Sequence, residues 1–361
     1  MIDFEPSEEQ QLIIDTVQQF ARTEIRPVAR ESEEASKLPE KVLSAAHELG
    51  LVANALPESA GGSGERSAIT GALIAEELAW GDLAIALAIL SPGLSALPIA
   101  EWGTDEQKET LARFVGPRFV PGALAIVEPR FDSDPFRPAT LARRDGDGFV
   151  LDGAKCLVPW IDGADSVLVV ANEGGASQLF LVPRDAGGLK AEPERYMGIQ
   201  ALPTAELTLS GVHLPASAKI GGEAGVDLRR LIAQGRVALA AMAVGLARAA
   251  FETARDYAKE RQVFGVPVAT KQAIAFKLAD MALEIDGARL LAWEAAWKLD
   301  QGEDATREAL LARRQANRVA LEVADGAVQV LGGHGYIRDY LPELHLRNAR
   351  GFTSFEALAL V

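Results

Sequence analysis

Four short stretches carry residue types able to do chemistry. Glu356 follows Phe355 in R-N-A-R-G-F-T-S-F-E-A over residues 347–357. Such a carboxylate is a general base only where a dry cleft raises its pKa toward the working pH, and is otherwise a solvated charge. Y-A-K-E-R-Q-V-F-G over 257–265 sets Arg261 and Phe264 where a long helical pattern breaks into a turn. A cation there suits the free carbonyls of a helix C-terminus. Q-V-L-G-G-H-G-Y over 329–336 ends another helical run in glycines, with Gln329, Gly332 and Gly333 in sequence. These glycines follow a helix rather than a strand, so they are not the dinucleotide loop of a Rossmann unit. Arg236 interrupts the apolar run LIAQGRVALAAMAVGLA and reads equally as a surface helix charge. The single Cys156 cannot form an internal disulfide and four scattered histidines have no zinc-type spacing, so Cys156 is expected to serve packing.

The chain that must position these residues is 361 long, 48% hydrophobic and 24% charged, enough for two or three domains. Its formal charge of −15 and pI near 4.9 argue against a nucleic-acid binder or an anchor for anionic membrane, since both require a basic face. No stretch of about 18 uninterrupted apolar residues occurs. The acidic start MIDFEPSEEQ lacks the basic and apolar regions of a signal peptide. The expectation is a cytoplasmic protein with soluble partners, without nucleic acid and without a membrane span.

Proline divides the elements. Sixteen of 18 prolines lie in residues 1–215, and only Pro267 and Pro342 follow, so the last third predicts long helices over about 226–260, 270–301 and 304–331 in an antiparallel bundle. Ten prolines and short β-rich runs (GALAIVE, GFVLDGAKCLV, SVLVVA, SQLFLV and AELTLSGVHL) predict a β domain between Pro117 and Pro215. The first 116 residues read as helical, with capping boxes at Ser7 to Gln10 and Thr104 to Gln107. The expected fold class is α+β multidomain: an N-terminal helical domain over 1–116, a middle β-barrel or sandwich domain over 117–222 and a C-terminal helical bundle over 223–361.

On this frame the motifs resemble those of the acyl-CoA dehydrogenase family. YAKERQVFG is similar to its Y-x-x-x-R-x-x-F-G, and the 329–350 segment to its Q-x-x-G-G-x-G-[YF] followed by a helix ending R-[DN]-A-[KR]. LPESAGGSGE over 56–65 resembles its P-E-x-x-G-G-x-G loop, and AIVEPRFDSD its L-T-E-P-x-A-G-S-D, matched at Glu128, Pro129, Ser133 and Asp134. The resemblance implies FAD as cofactor. Arg261 would reach its pyrophosphate with Phe264 packed nearby, and Gln329, Gly332 and Gly333 would meet the FAD of a neighbouring subunit. Glu356 would take the α-proton of an acyl-CoA while the β-hydrogen leaves as hydride to flavin N5, giving a trans-2-enoyl-CoA. Ser133, Arg236 and Phe355 would line the substrate, and electrons would pass to electron-transfer flavoprotein. A subset of the family carries its base just before the helix arginine, where this chain has Gly235.

The departures cluster on the flavin wall. Val127 stands for a threonine, Leu157 for the tryptophan and Pro159 for a threonine of G-x-x-x-x-G-x-K-x-W-I-T, whose lysine is Lys155. Valine and proline supply no hydroxyl donor, and proline lacks its N–H as well. Only the apolar ALALV follows Glu356, where the family continues through a polar stretch toward the adenosine. Two readings follow, both oligomeric. The first is a self-sufficient dehydrogenase in a homotetramer. The second is a non-catalytic or FAD-sharing subunit in a heterotetramer with a sister acyl-CoA dehydrogenase. A flavin monooxygenase or oxidase on the same fold is a third, weaker reading.

Overall fold

Ser7 opens the first helix, its hydroxyl accepting from the Gln10 amide at 3.2 Å while Gln10 Oε1 accepts from the Ser7 N–H at 3.0 Å. A computed structural model describes residues 5–361; the first four residues of the acidic start lie outside it. Seven helices come first: α1 (Glu8–Phe20), α2 (Ala29–Ala35), α3 (Glu40–Glu48), α4 (Ala68–Gly81), α5 (Leu83–Leu90), α6 (Pro92–Trp102) and α7 (Asp105–Glu109). The Thr104 capping box opens α7, and Asp82 caps α5 by accepting from the Ile85 amide at 3.0 Å. Every residue of α5 is buried, as its unbroken run LAIALAIL requires.

The middle of the chain forms one seven-stranded sheet: β1 (Leu124–Ala125), β2 (Leu141–Asp145), β3 (Gly148–Pro159), β4 (Ser166–Glu173), β5 (Ala176–Pro183), β6 (Leu189–Pro193) and β7 (Thr204–Leu214). The order is β1-β4-β2-β3-β7-β6, with β5 antiparallel to β4. The continuous apolar run of β4 is covered on both faces. Leu168 and Val170 pack toward the helices with Leu94 and Leu231, whereas Val167 and Val169 pack with Phe149 and Phe180. β2 (LARRD) and β6 (LKAEP) are strands that hydrophobic alternation does not reveal, because both lie mostly exposed.

Long helices complete the chain: α8 (Leu228–Glu260), a hairpin of β8 (Gln262–Val263) and β9 (Val266–Pro267), α9 (Gln272–Asp300), α10 (Thr306–Leu331) and α11 (Pro342–Phe352). Leu83–Trp102 and α8 are apolar enough on average to cross a membrane, although neither contains an uninterrupted apolar run of that length. Both are mostly covered by protein, which makes them core helices. At the crossing of α4 and α8 a Cβ on Gly245 would come within 2.1 Å of the Glu76 carbonyl oxygen, so only glycine permits the approach. Across it Arg248 donates to Glu76 at 3.0 Å and to Glu77 at 2.7 and 2.5 Å, and Arg289 from α9 donates to Glu76 at 3.1 Å.

Inside the sheet Lys155, fully buried, donates to Glu128 at 3.0 Å and to the Ile126 carbonyl at 3.1 Å. Burial lowers its pKa to about 8. Burial also pushes the Glu128 carboxyl up, but Lys155, the Thr140 and Ala139 amides and the Thr140 hydroxyl outweigh it and hold the group below its ordinary 4.5. A carboxylate depressed on folding contributes stability above its unfolded pKa and loses it as pH falls through the folded value. Glu128→Gln is therefore expected to show a shallower loss of urea-unfolding free energy than the wild type below about pH 5. Parallel acid limbs would mean that the fold does not hold this carboxylate in its charged form.

Candidate active site

The corner after α11 carries Glu356, and the buried N-terminal third of α8 carries Arg236, 120 residues earlier. Their side chains meet in a fork: Arg236 Nε donates to both carboxylate oxygens at 3.2 Å and Nη2 donates to Oε1 at 2.9 Å. The Arg236 side chain is 8% exposed and that of Glu356 24%, so the cation is buried while the carboxylate keeps partial access. The carboxylate is thus held by a planar cation instead of standing alone in an apolar cleft. With about four lone-pair sites on its two oxygens it keeps acceptor capacity toward a ligand. Arg236 is no surface helix charge. Phe136 lies 5.8 Å from its guanidinium and covers it, a neighbour that sequence periodicity does not indicate.

Arg313 in α10 holds the corner. It is wholly buried, donates to the Phe352 carbonyl at 2.9 Å and the Phe355 carbonyl at 3.4 Å, and stacks 4.3 Å from the Phe352 ring. Burial lowers its pKa to about 9, opposed by the nearby Glu356 charge. It sits on the apolar stripe of Ala309, Ala312, Ala316 and Val319, and a charge in that register was the available sequence signal. Gly235 is the second support. An added Cβ would lie 2.5 Å from Ala357 Cβ, so only a glycine lets the Glu356 corner seat on α8. Gly235→Ala is expected to lower stability by about 1–3 kcal/mol through overpacking, read as a shift of the urea midpoint. An unshifted midpoint would mean the corner is not seated there.

The sheet supplies the facing wall. Between Lys155 and Val158 the register of β3 against β7 slips, and Leu157 takes φ 58°, a bulge that turns its amide toward Glu194. The Glu194 carboxylate accepts from that N–H at 3.1 and 3.3 Å. Burial, together with the Glu194 carboxylate, raises the pKa of Tyr196, whose ring meets buried Phe355 edge-on at 6.1 Å. The Tyr196–Phe355 contact brings the wall and the Glu356 corner together. Val127 lies half-buried with its carbonyl accepting from the Cys156 amide at 2.9 Å, Pro159 is buried, and Ser133 Oγ accepts from the Glu128 amide at 3.1 Å. Burial pushes the Cys156 thiol up to about 11, which leaves it unreactive and consistent with packing.

Arg261, Phe264, Gln329, Gly332 and Gly333 form a separate, exposed set. Arg261 caps α8 and, among the described residues, makes no ion pair. Phe264 is 94% exposed, with Lys271 Nζ 6.0 Å from its ring centroid, so within one chain it packs into no pocket. Tyr257 O–H and His334 Nδ1, 2.9 Å apart, tie the α8 terminus to the glycine segment. Arg236 and Arg261 are 25 residues apart on one helix and its cap, about 37 Å at the α-helical rise. One chain therefore places the phosphate-type residues far from Glu356.

Whether these residues suit FAD can be judged from the backbone they leave bare. Gly332 has φ 58° and ψ −129°, and a Cβ on Gly332 or Gly333 would meet nothing within 4 Å. A dinucleotide can approach this backbone closely beside an unpaired arginine fork, so the phosphate end fits. At the flavin end the resemblance leads one to expect two hydroxyl donors, and Val127 and Pro159 stand in their places. Sequence families match in the same order. "Acyl-CoA dehydrogenase, N-terminal domain" matches residues 7–115, "middle domain" 123–212 and "C-terminal domain" 226–356. The chain is 36% identical to the probable acyl-CoA dehydrogenase YngJ of Bacillus subtilis, over 97% of this chain and 94% of that one. It is 35% identical to the mitochondrial short-chain specific acyl-CoA dehydrogenase of Bos taurus, over 95% and 85%. The solved butyryl-CoA dehydrogenase of Megasphaera elsdenii superposes with a TM-score of 0.89 at 30% identity, covering 98% of this chain and 96% of that one. The three matched domains, the shared fold and the dinucleotide-ready glycine segment place this chain in the acyl-CoA dehydrogenase family of FAD-dependent oxidoreductases.

Proposed function

We propose that this protein oxidises an acyl-CoA thioester between Cα and Cβ to a trans-2-enoyl-CoA, with Glu356 as the base that removes the α-proton. The observation that carries the reading is the Glu356–Arg236 fork, with Arg236 buried and Glu356 partly exposed, at a corner whose Phe355 ring meets Tyr196 of the sheet wall. Bound FAD supplies the two-electron acceptor. The chain's own residues do the rest. Arg236 fixes the carboxylate, Arg313 fixes the corner that bears it, and Phe355 and Leu157 exclude water from the reacting face. In this reading the Glu356 backbone N–H donates to the thioester oxygen, which acidifies the α-carbon. Arg261, Gln329, Gly332 and Gly333 serve the dinucleotide of a neighbouring subunit, a reading supported by their distance from Glu356 along α8. Ser133 borders the substrate, and electrons leave to electron-transfer flavoprotein.

Val127 and Pro159 favour a second reading, in which this chain shares FAD with a sister subunit in a heterotetramer. One experiment separates the two: the visible spectrum of the protein purified alone, followed by anaerobic addition of acyl-CoAs of increasing length. Flavin absorbance that a substrate bleaches supports a self-sufficient homotetramer. A colourless protein that turns yellow only on co-expression with a sister dehydrogenase sinks that reading in favour of the shared site.

A further inference from the structure

The chain beyond Glu356 runs into the core. Ala357 turns it at φ 45°, and Leu358, Ala359, Leu360 and Val361 are 1%, 0%, 6% and 5% exposed. Arg66 clamps the segment: Nη2 donates to the Val361 carbonyl at 2.7 Å while Nη1 is held by Glu101 at 2.7 Å. Gly71 makes the seat, since a Cβ there would stand 3.0 Å from Val361 Cβ. Leu360 and Val361 line a cavity of about 570 Å³, whose apolar lining also includes Ile13, Ile74, Leu90 and Leu97. Neither Glu356 nor Arg236 lines it. Its volume is within the usual range for small-molecule pockets, about 300–1,000 Å³, and polar residues such as Gln10, Arg66 and Thr70 share the lining with the apolar ones. Five residues span at most about 17 Å when extended. Along the chain the segment connects the Glu356 carboxylate to the cavity, whose lining it joins through Leu360 and Val361.

We infer that Leu358–Val361 is a specificity-determining wall: it ends the acyl site short and keeps the cavity from acyl groups that would otherwise extend into it. The inference rests on the acyl-CoA reading above. The wall is made by side chains, with Leu360 and Val361 presenting their apolar surface to the cavity, and so it is removable by substitution. Each methylene that then passes from water into the cavity gains about fourfold in binding.

The test compares butyryl-CoA with dodecanoyl-CoA in the wild type and in Leu360→Gly/Val361→Gly, with circular dichroism to establish that the variant is folded. The ratio of kcat/KM for the long to the short substrate is expected to rise at least tenfold. Adding Ile13→Trp, which fills the cavity from α1, is expected to return the ratio toward the wild-type value. An unchanged ratio in the folded variant overturns the wall. Should the double variant fail to fold, Leu360→Ala is read in the same way. Calorimetric titration with dodecanoyl-CoA keeps the inference separate from the proposed reaction. If no form oxidises any acyl-CoA, tighter dodecanoyl-CoA binding by the variant, reversed by Ile13→Trp, still supports the wall, and equal binding overturns it.

Discussion

Glu356→Gln is expected to retain bound flavin and to slow its anaerobic bleaching by acyl-CoA by about 10²–10⁴-fold, the usual worth of a positioned general base. Glutamine is nearly isosteric, and its Oε1 still accepts from the Arg236 fork, so the corner keeps its place while the group loses the ability to take a proton. Arg236→Lys separates positioning from charge. It keeps a cation but loses the planar fork that contacts both carboxylate oxygens, and should slow bleaching by less than Glu356→Gln does. Stopped-flow absorbance with saturating substrate measures both. Bleaching of Glu356→Gln at the wild-type rate would remove Glu356 from the reaction and reopen the search for a base.

The second large effect concerns stability. Arg248→Met should lower unfolding free energy by about 3–5 kcal/mol, because it leaves the buried Glu77 carboxylate without its cation, whereas Glu76 keeps Arg289. Glu76 and Glu77 are 5% and 6% exposed at the side chain, and Arg248 is the cation that binds Glu77. Burial works against the Arg248 charge, yet Glu77 and Glu76 together raise its pKa, so the cluster is net favourable to the cation. With an unfolding entropy of about 2.1 cal/mol/K per residue, the loss corresponds to a thermal midpoint lower by about 4–7 °C. Adding Glu77→Met should recover much of it, since the stranded anion is then gone. A double variant no more stable than the single one would show that the loss comes from the packing of α4 on α8 instead of from the charge. The same crossing sets where α8 presents Arg236, so a displaced α4 is expected to reach the site as well.

Much of this protein is legible in its sequence. Elements that depend on local chemistry read directly: the Ser7 and Thr104 capping boxes, and the three long helices, because proline is nearly absent and apolar residues recur at three-to-four spacing. The central strands with continuous or alternating apolar residues are also visible, whereas β2 and β6 are not, because their mostly exposed residues leave no pattern. The motif residues split along the same line. Arg261 and Gly332–Gly333 lie at helix ends, where a cation and a glycine have a local reason to stand.

Tertiary structure decided what Glu356 touches. No local rule joins residue 356 to Arg236, because the contact exists only where α8 crosses the corner after α11. Gly235 matters because Ala357 seats against it, and Arg313 because two carbonyls of that corner turn toward it. The ALALV segment is in the sequence only an apolar run; folded, its Leu360 and Val361 line a cavity. Sequence alone determined which elements form and which residues could react, since those follow from backbone propensity and side-chain chemistry. Packing between distant segments decided which groups meet, because burial and charge pairing depend on neighbours that only the closed fold supplies.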